Sequence, residues 1–201
     1  MNIRKALEEQ LGANEHIRLN TLDVDPEKIL AVMINEVVPM DPAQDFYGSS
    51  GEAYLSTTIS LFRKAGLLVE GINDILRLGI YITNAVKMPK TAYTIEPESI
   101  EESLPYLERE LALFPNVKVI MLMGDVARKM YNRIARKTAK RNPIPSGATY
   151  KLRSTAFFHG QIRIMPSYIM TGGNLLIEKS KVAMVAEDIA EMAAIIGAVE
   201  R

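Results

Sequence analysis

The sequence predicts an α/β domain of three layers, α/β/α, around a four-stranded, mainly parallel central sheet. Three observations carry this. Four short apolar stretches, "ILAVMI" (Ile29–Ile34), "GIYITN" (Gly79–Asn84), "VKVIMLMG" (Val117–Gly124) and "QIRIMP" (Gln161–Pro166), lack the strict alternation of half-exposed strands, as expected where both faces are covered. Helical patterns separate these stretches, the signature of strands joined by crossover helices. The chain, at 201 residues, is long enough for one substantial core, and no repeat or low-complexity linker divides it, so residues 1–201 read as a single domain.

Each element has its own signal. After Gly51, Leu55, Ile59 and Phe62 recur at helical spacing, and Gly66 is the expected stop. Between the second and third strands, Ile100, Leu104, Leu107 and Leu111 form an apolar stripe. Glu98, Glu101 and Glu102 lie in its first turns, where the helix dipole favours acids. After the third strand Asp125 is the expected cap of a helix carrying "VARKMYNRIARKTAKR". From Ser180, "SKVAMVAEDIAEMAAIIGAV" reads as a closing helix packed on the sheet.

Composition narrows the function classes. Lys plus Arg and Asp plus Glu both number 24, so net charge does not mark the whole chain as a binder of nucleic acid or membrane. The distribution is uneven: Lys118 to Arg163 holds eleven basic residues and one acid, Asp125, which makes that segment +10 and the remainder −10. The basic helix finds no acid within itself, so its exposed face is expected to be positive. The absence of cysteine excludes disulfides, thiol nucleophiles and thiolate-bound metal; no metal site is expected. With no signal-peptide pattern at "MNIRKALEEQ" and no apolar run of membrane-spanning length, a soluble, cytoplasmic monomer is expected.

In a parallel sheet, ligands bind beyond the carboxyl ends of the strands. Here those ends carry "NEVVPMDPAQDFYGSSG", Asn84 with "AVKMP", "GDVA", and "MPSYIMTGGN". An amide, several carboxylates, an aromatic, a hydroxyl and a glycine pair therefore converge on one edge. Taken singly, each also suits an ordinary turn or cap.

Taken in order, these segments resemble the uracil-DNA glycosylase superfamily, closest to its family 4 type, from about Ile29 to about Ile189. "FYGSSG" (Phe46–Gly51) matches the spacing of a Phe-Val-Gly-x-x-Gly stretch. "YITNAVKMP" matches Tyr-Ile-Thr-Asn-x-x-Lys-x-x-Pro and is the most specific piece. "LERELALFPNVKVIMLMGDVA" is similar to the helix and strand ending in Leu-Gly-x-x-Ala, and "MPSY" stands where the family carries His-Pro-Ser. The resemblance implies DNA as partner and base-excision hydrolysis as chemistry. It implies base binding by Phe46, Asn84 and Lys87, and DNA contacts from Pro166, Ser167, Gly172 and Gly173. An Asn at a strand end presents a fixed donor and acceptor to a pyrimidine edge, and an enzyme acting on a base must extrude it.

The departures from that pattern fall on the chemistry. Glu36 aligns with the second residue of the first-strand motif, and Val37 stands where other branches carry Asp or Asn. Glu36 is the first candidate to position the attacking water, with Asp41 and then Asp45 as further carboxylates. Met165 replaces the histidine that donates to the departing base, and His159, six residues earlier, reads as a surface or core residue. Family 4 members hold an iron–sulfur cluster with four cysteines; this chain has none, so no cofactor is expected. Three readings stay open: a glycosylase cleaving the N-glycosidic bond of uracil or a damaged base, a noncatalytic member binding nucleobase or nucleic acid, and a protein-partner surface on the basic helix.

Overall fold

The computed structural model describes residues 1–48, 53–91, 93–172 and 174–198. The sheet has five strands rather than four: β1 (Ala31–Val37), β2 (Ile80–Val86), β3 (Val119–Met123), β4 (Phe157–His159) and β5 (Ile162–Ser167), ordered β2-β1-β3-β5-β4. The four expected strands run parallel, and the added β4 pairs antiparallel with β5. Only three residues long, partly exposed and without an apolar run, β4 lacks the signal that marks the others.

Helices cover both faces. The contacts of α1 (Ile3–Leu11), α4 (Pro97–Leu111) and α5 (Asp125–Ala135) place them on one face, over Val32, Ile34 and Ile120. On the other, α2 (Ala53–Lys64), α3 (Ile72–Arg77) and α8 (Lys179–Ile196) pack over Met33, Ile82 and Met121. The short α6 (Thr149–Leu152) and α7 (Asn174–Ile177) complete the order. The three layers of the α/β/α expectation are thus present, and double coverage explains why β1, β2 and β3 read as continuous apolar runs.

Although β2 is an edge strand, all seven of its residues are buried. On its open side the Ile82 backbone is paired by Tyr47, whose hydroxyl donates to the Ile82 carbonyl at 2.7 Å and accepts from the Ile82 N–H at 3.0 Å. Pairing these backbone groups removes a template for edge-to-edge association.

Two helical expectations need correction. The third crossover helix ends at Ala135, not in the 136–141 run, and Gly124 occupies its N-cap with Asp125 as first residue. Its basic residues do find acids: Arg128 and Lys129 pair with Asp125, Arg133 with Glu101 and Lys137 with Glu108. Two of those acids belong to α4, which packs alongside, so the charge is offset by a neighbour remote in sequence. Arg136, Lys140 and Arg141 remain exposed near Thr138, whose hydroxyl meets His159 beside the amino end of β5. That is the edge opposite Asn84.

Candidate functional site

β1 is joined through β2, on one side, to β3, on its other side, so the connections diverge between β1 and β3. Such a switch point opens a crevice at the carboxyl edge. A cleft of about 440 Å³ lies there, lined among others by Glu36, Gly124, Tyr168, Ile169 and Thr171. Glu36 Oε1 accepts from the Val126 N–H at 3.0 Å, in the first turn of α5 where the helix dipole favours a carboxylate. Gly124 makes this approach feasible: its φ is +103°, and a Cβ there would stand 2.4 Å from Glu36 Oε1. The other oxygen of Glu36 makes no hydrogen bond among the described residues, leaving an acceptor toward the cleft.

One strand away, Asn35 and Asn84 face each other across the β1–β2 ladder. Asn35 Nδ2 donates to Asn84 Oδ1 at 2.7 Å, and Asn84 Nδ2 donates to both carboxylate oxygens of Asp45 at 3.0 and 3.1 Å. Thr171 Oγ1 donates to Asn35 Oδ1 at 3.4 Å, linking this chain of amides to the Glu36 cleft. The orientation of the Asn84 amide is fixed from both ends, and the side chain is 4 % exposed. Burial pushes the Asp45 carboxyl above its usual range, opposed by the bonds from Asn84 and the Phe46 N–H and by the Lys87 charge.

The remaining candidates are placed differently. Phe46 is fully buried against the Tyr54 ring, centroids 5.4 Å apart, with no face open to a stacked base. Lys87 is 3 % exposed and bonds Thr83 Oγ1 at 2.6 Å and the Glu110 carboxylate. Tyr81 and Thr83 also donate to Glu110, at 2.7 and 2.9 Å, completing a buried network on the face of β2 away from Asn84. The lysine is therefore spent within the core in this conformation. Asp41 is exposed, and its carboxylate caps the 3-10 turn Pro42–Gln44 by accepting from the Ala43 N–H at 2.9 Å.

The expected DNA-contact loop is drawn inward. Ser167 is the last residue of β5 and 1 % exposed; its hydroxyl donates to Asp188 Oδ2 at 2.5 Å, and Arg153 Nε donates to Asp188 Oδ1 at 3.0 Å. Pro166 lies within β5, as the expected strand Gln161–Pro166 has it. The Arg163 N–H points to β3, so by alternation the missing N–H of Pro166 falls on the opposite side, which β4 does not reach. Met165 is buried opposite Met121. Gly172 lies in the loop before α7 with φ +90°, and Gly173, like residues 49–51 of the "FYGSSG" stretch, lies outside the described residues.

His159 lies at the opposite edge. His159 ring nitrogens meet the Tyr131 hydroxyl and Thr138 Oγ1, each at 3.0 Å, and His16 is exposed in the N-terminal segment. Asn35 was missed as a site residue, and its signal was weak: a polar side chain closing an apolar strand, directly in register with Asn84. Asp45 was visible only as one of several loop carboxylates.

No set of three His, Asp or Glu suited to a metal occurs among the described residues, and there is no cysteine to hold an iron–sulfur cluster. Among the described residues no helix is long and apolar enough to cross a membrane. No curated protein matches the chain. The model of the Uracil DNA glycosylase superfamily matches residues 36–184, from the carboxylate at the end of β1 into α8. With that match spanning most of its length, the chain belongs to the uracil-DNA glycosylase superfamily.

Proposed function

We propose that the protein acts on DNA as a glycosylase, hydrolysing the N-glycosidic bond of a base extruded from the helix. The observation that carries this reading is the pairing of Glu36, held by the α5 terminus in a cleft at the switch point, with an orientationally fixed Asn84 amide one strand away. Glu36 would orient water toward the sugar carbon through its second oxygen and offset the positive charge that develops there. Asn84 would read the edge of the base, supported by Asn35. Asp45 must yield part of its contact with Asn84 for a base to enter.

A second reading, a noncatalytic member that binds a base or nucleic acid, has an observation of its own. The leaving base needs a donor, and Met165 lies inside the sheet, His159 lies at the opposite edge and His16 does not line the Glu36 cleft. Loss of such a donor costs about 100-fold or more in rate. The partner-surface reading of the basic helix is weakened by the ion pairs to α4.

The test is a glycosylase assay on end-labelled single-stranded and U:G duplex DNA, with Asn84→Ala and Glu36→Ala beside the wild type. Uracil-dependent cleavage that falls about 100-fold or more in Glu36→Ala supports the hydrolase. Binding without cleavage, lost in Asn84→Ala, moves the protein to the second reading.

A further inference from the structure

A second cavity, of about 470 Å³, lies on the other flank of the Asn84 site. It falls within the volume range of small-molecule sites and is lined by polar as well as apolar groups. Apolar walls come from Leu19, Leu22, Val38 and Pro39. Asp45, Tyr47, Arg4 and Arg18 line it together with Asn20, Thr21 and Asp23. Asp45 belongs to both places, since the carboxylate that lines this cavity is the one that receives the Asn84 amide.

The groups form a directional pattern. An ionised carboxylate only accepts, with roughly four lone-pair sites. Asn84 uses one site on each oxygen, and the Phe46 N–H uses another on Oδ1 at 2.9 Å, leaving capacity on Oδ2 among the described residues. The guanidinium groups only donate. Arg18 spends Nη1 on the carbonyls of Pro39 and Met40, and Arg4 spends Nη2 on that of Leu19; their other nitrogens make no hydrogen bond among the described residues. Tyr47 is a rigid wall, its hydroxyl fixed to the Ile82 backbone and its ring stacked on Tyr81 with centroids 5.9 Å apart.

An acceptor near donors complements a base edge that carries a donor next to an acceptor. Cytosine and adenine present that edge, an exocyclic amine beside an unprotonated ring nitrogen; uracil presents carbonyl oxygens flanking a ring N–H. A carboxylate facing O4 of uracil sets acceptor against acceptor, whereas the cytosine amine is a known partner of Asp and Glu. We propose that this cavity selects a base carrying an exocyclic amine beside a ring-nitrogen acceptor, of cytosine or adenine type, over uracil, with Asp45 accepting from the amine and Arg18 donating to the ring nitrogen. The inference rests on the base-handling reading above and concerns a second base position, on the flank of Asn84 away from Glu36.

Free deoxycytidine, deoxyadenosine and deoxyuridine separate this from phosphate binding, because none carries a phosphate. Each is titrated into the ¹⁵N-labelled full chain and followed by amide chemical shifts, for wild type, Asp45→Asn and Arg18→Gln. Expected is a deoxycytidine affinity about tenfold above that for deoxyuridine, falling to within about twofold in Asp45→Asn, whose amide can also donate to O4. Arg18→Gln should weaken deoxycytidine more than deoxyuridine. Asp45→Asn keeps an acceptor for Asn84, and its amide spectrum reports whether the fold is intact. Deoxyuridine bound as well as deoxycytidine, an unchanged ratio in Asp45→Asn, or binding of none of the three would each overturn the inference. Uracil-dependent cleavage of DNA in the assay above would, in those cases, leave the glycosylase reading standing. Loss of both would bring the two down together.

Discussion

The two halves of the carboxyl edge have handled similar raw material in opposite ways. At the β1–β2 end, Asn84 bonds both Asn35 and Asp45, and Asp45 lines an open cavity. At the β3–β5 end, Met165, Pro166 and Ser167 continue as strand, and the one hydroxyl is closed off by Asp188 and Arg153. Both segments match family motifs in spacing, yet Asp45 opens on a cavity while Ser167 is closed within the core. Motif spacing reports where a residue falls along the chain; whether it faces a ligand depends on what lies across from it.

The largest effect is expected beneath the β1–β2 end. Lys87 and Glu110 form an ion pair in which both side chains are nearly fully buried, with Thr83 and Tyr81 completing the carboxylate's bonds. Burial, reinforced by the Glu110 charge, holds the Tyr81 phenol well above its ordinary range, so it serves as a neutral donor. Lys87→Met would strand the carboxylate and should cost about 3–5 kcal/mol of stability, measured by urea denaturation. A loss of base recognition at unchanged stability would instead make Lys87 a ligand-facing residue and erase its contrast with Asn84.

How legible these two halves were follows from where their partners lie. The strands could be read because double burial leaves uninterrupted apolar runs, and Asn84 because an amide closes one of them. The partners could not: Glu110 lies 23 residues beyond Lys87, and Glu101 and Glu108 precede Arg133 and Lys137 by about thirty. No local pattern ties an acid on one helix to a base on the next. Ser167 was given a DNA contact through the resemblance, just beyond a strand expected to end at Pro166. Yet β5 lacks a neighbour on the side where Pro166 needs none, so the strand runs one residue further and turns the hydroxyl inward. Asp45 was one carboxylate among three candidates until the fold set it against Asn84.

The next effect should come from the β3–β5 end. Ser167→Ala removes a buried hydrogen bond to a charged acceptor and should destabilise the protein by about 1.5–3 kcal/mol. Affinity for a short DNA duplex should change less than twofold, since the hydroxyl does not reach the surface. Fluorescence anisotropy at fixed salt and thermal melting of the same variant decide the matter. A drop in DNA affinity with unchanged melting would restore Ser167 to a phosphate-binding role and make the two halves alike.

The smallest effect is a pH slope, and it compares the two acids at the centres of the halves. Burial raises both Asp45 and Asp188 above the ordinary Asp value of 3.8, against the opposing bonds from Asn84 in one case and from Arg153 and Ser167 in the other. A carboxyl raised in the folded state holds its proton there when the unfolded chain has already released it. Between 3.8 and each raised value the native state binds more protons, so stability falls as pH rises through that window and is flat above it. Asp45→Asn and Asp188→Asn should each remove their share of that fall. Asp188→Asn should also lower stability by a pH-independent amount, because Arg153 loses its ionised partner. Urea denaturation from about pH 4 to 7 separates slope from offset. A wild-type slope that Asp45→Asn leaves intact would mean that Asp45 ionises as freely in the fold as in the open chain, and that its bond to Asn84 is made with solvent at hand.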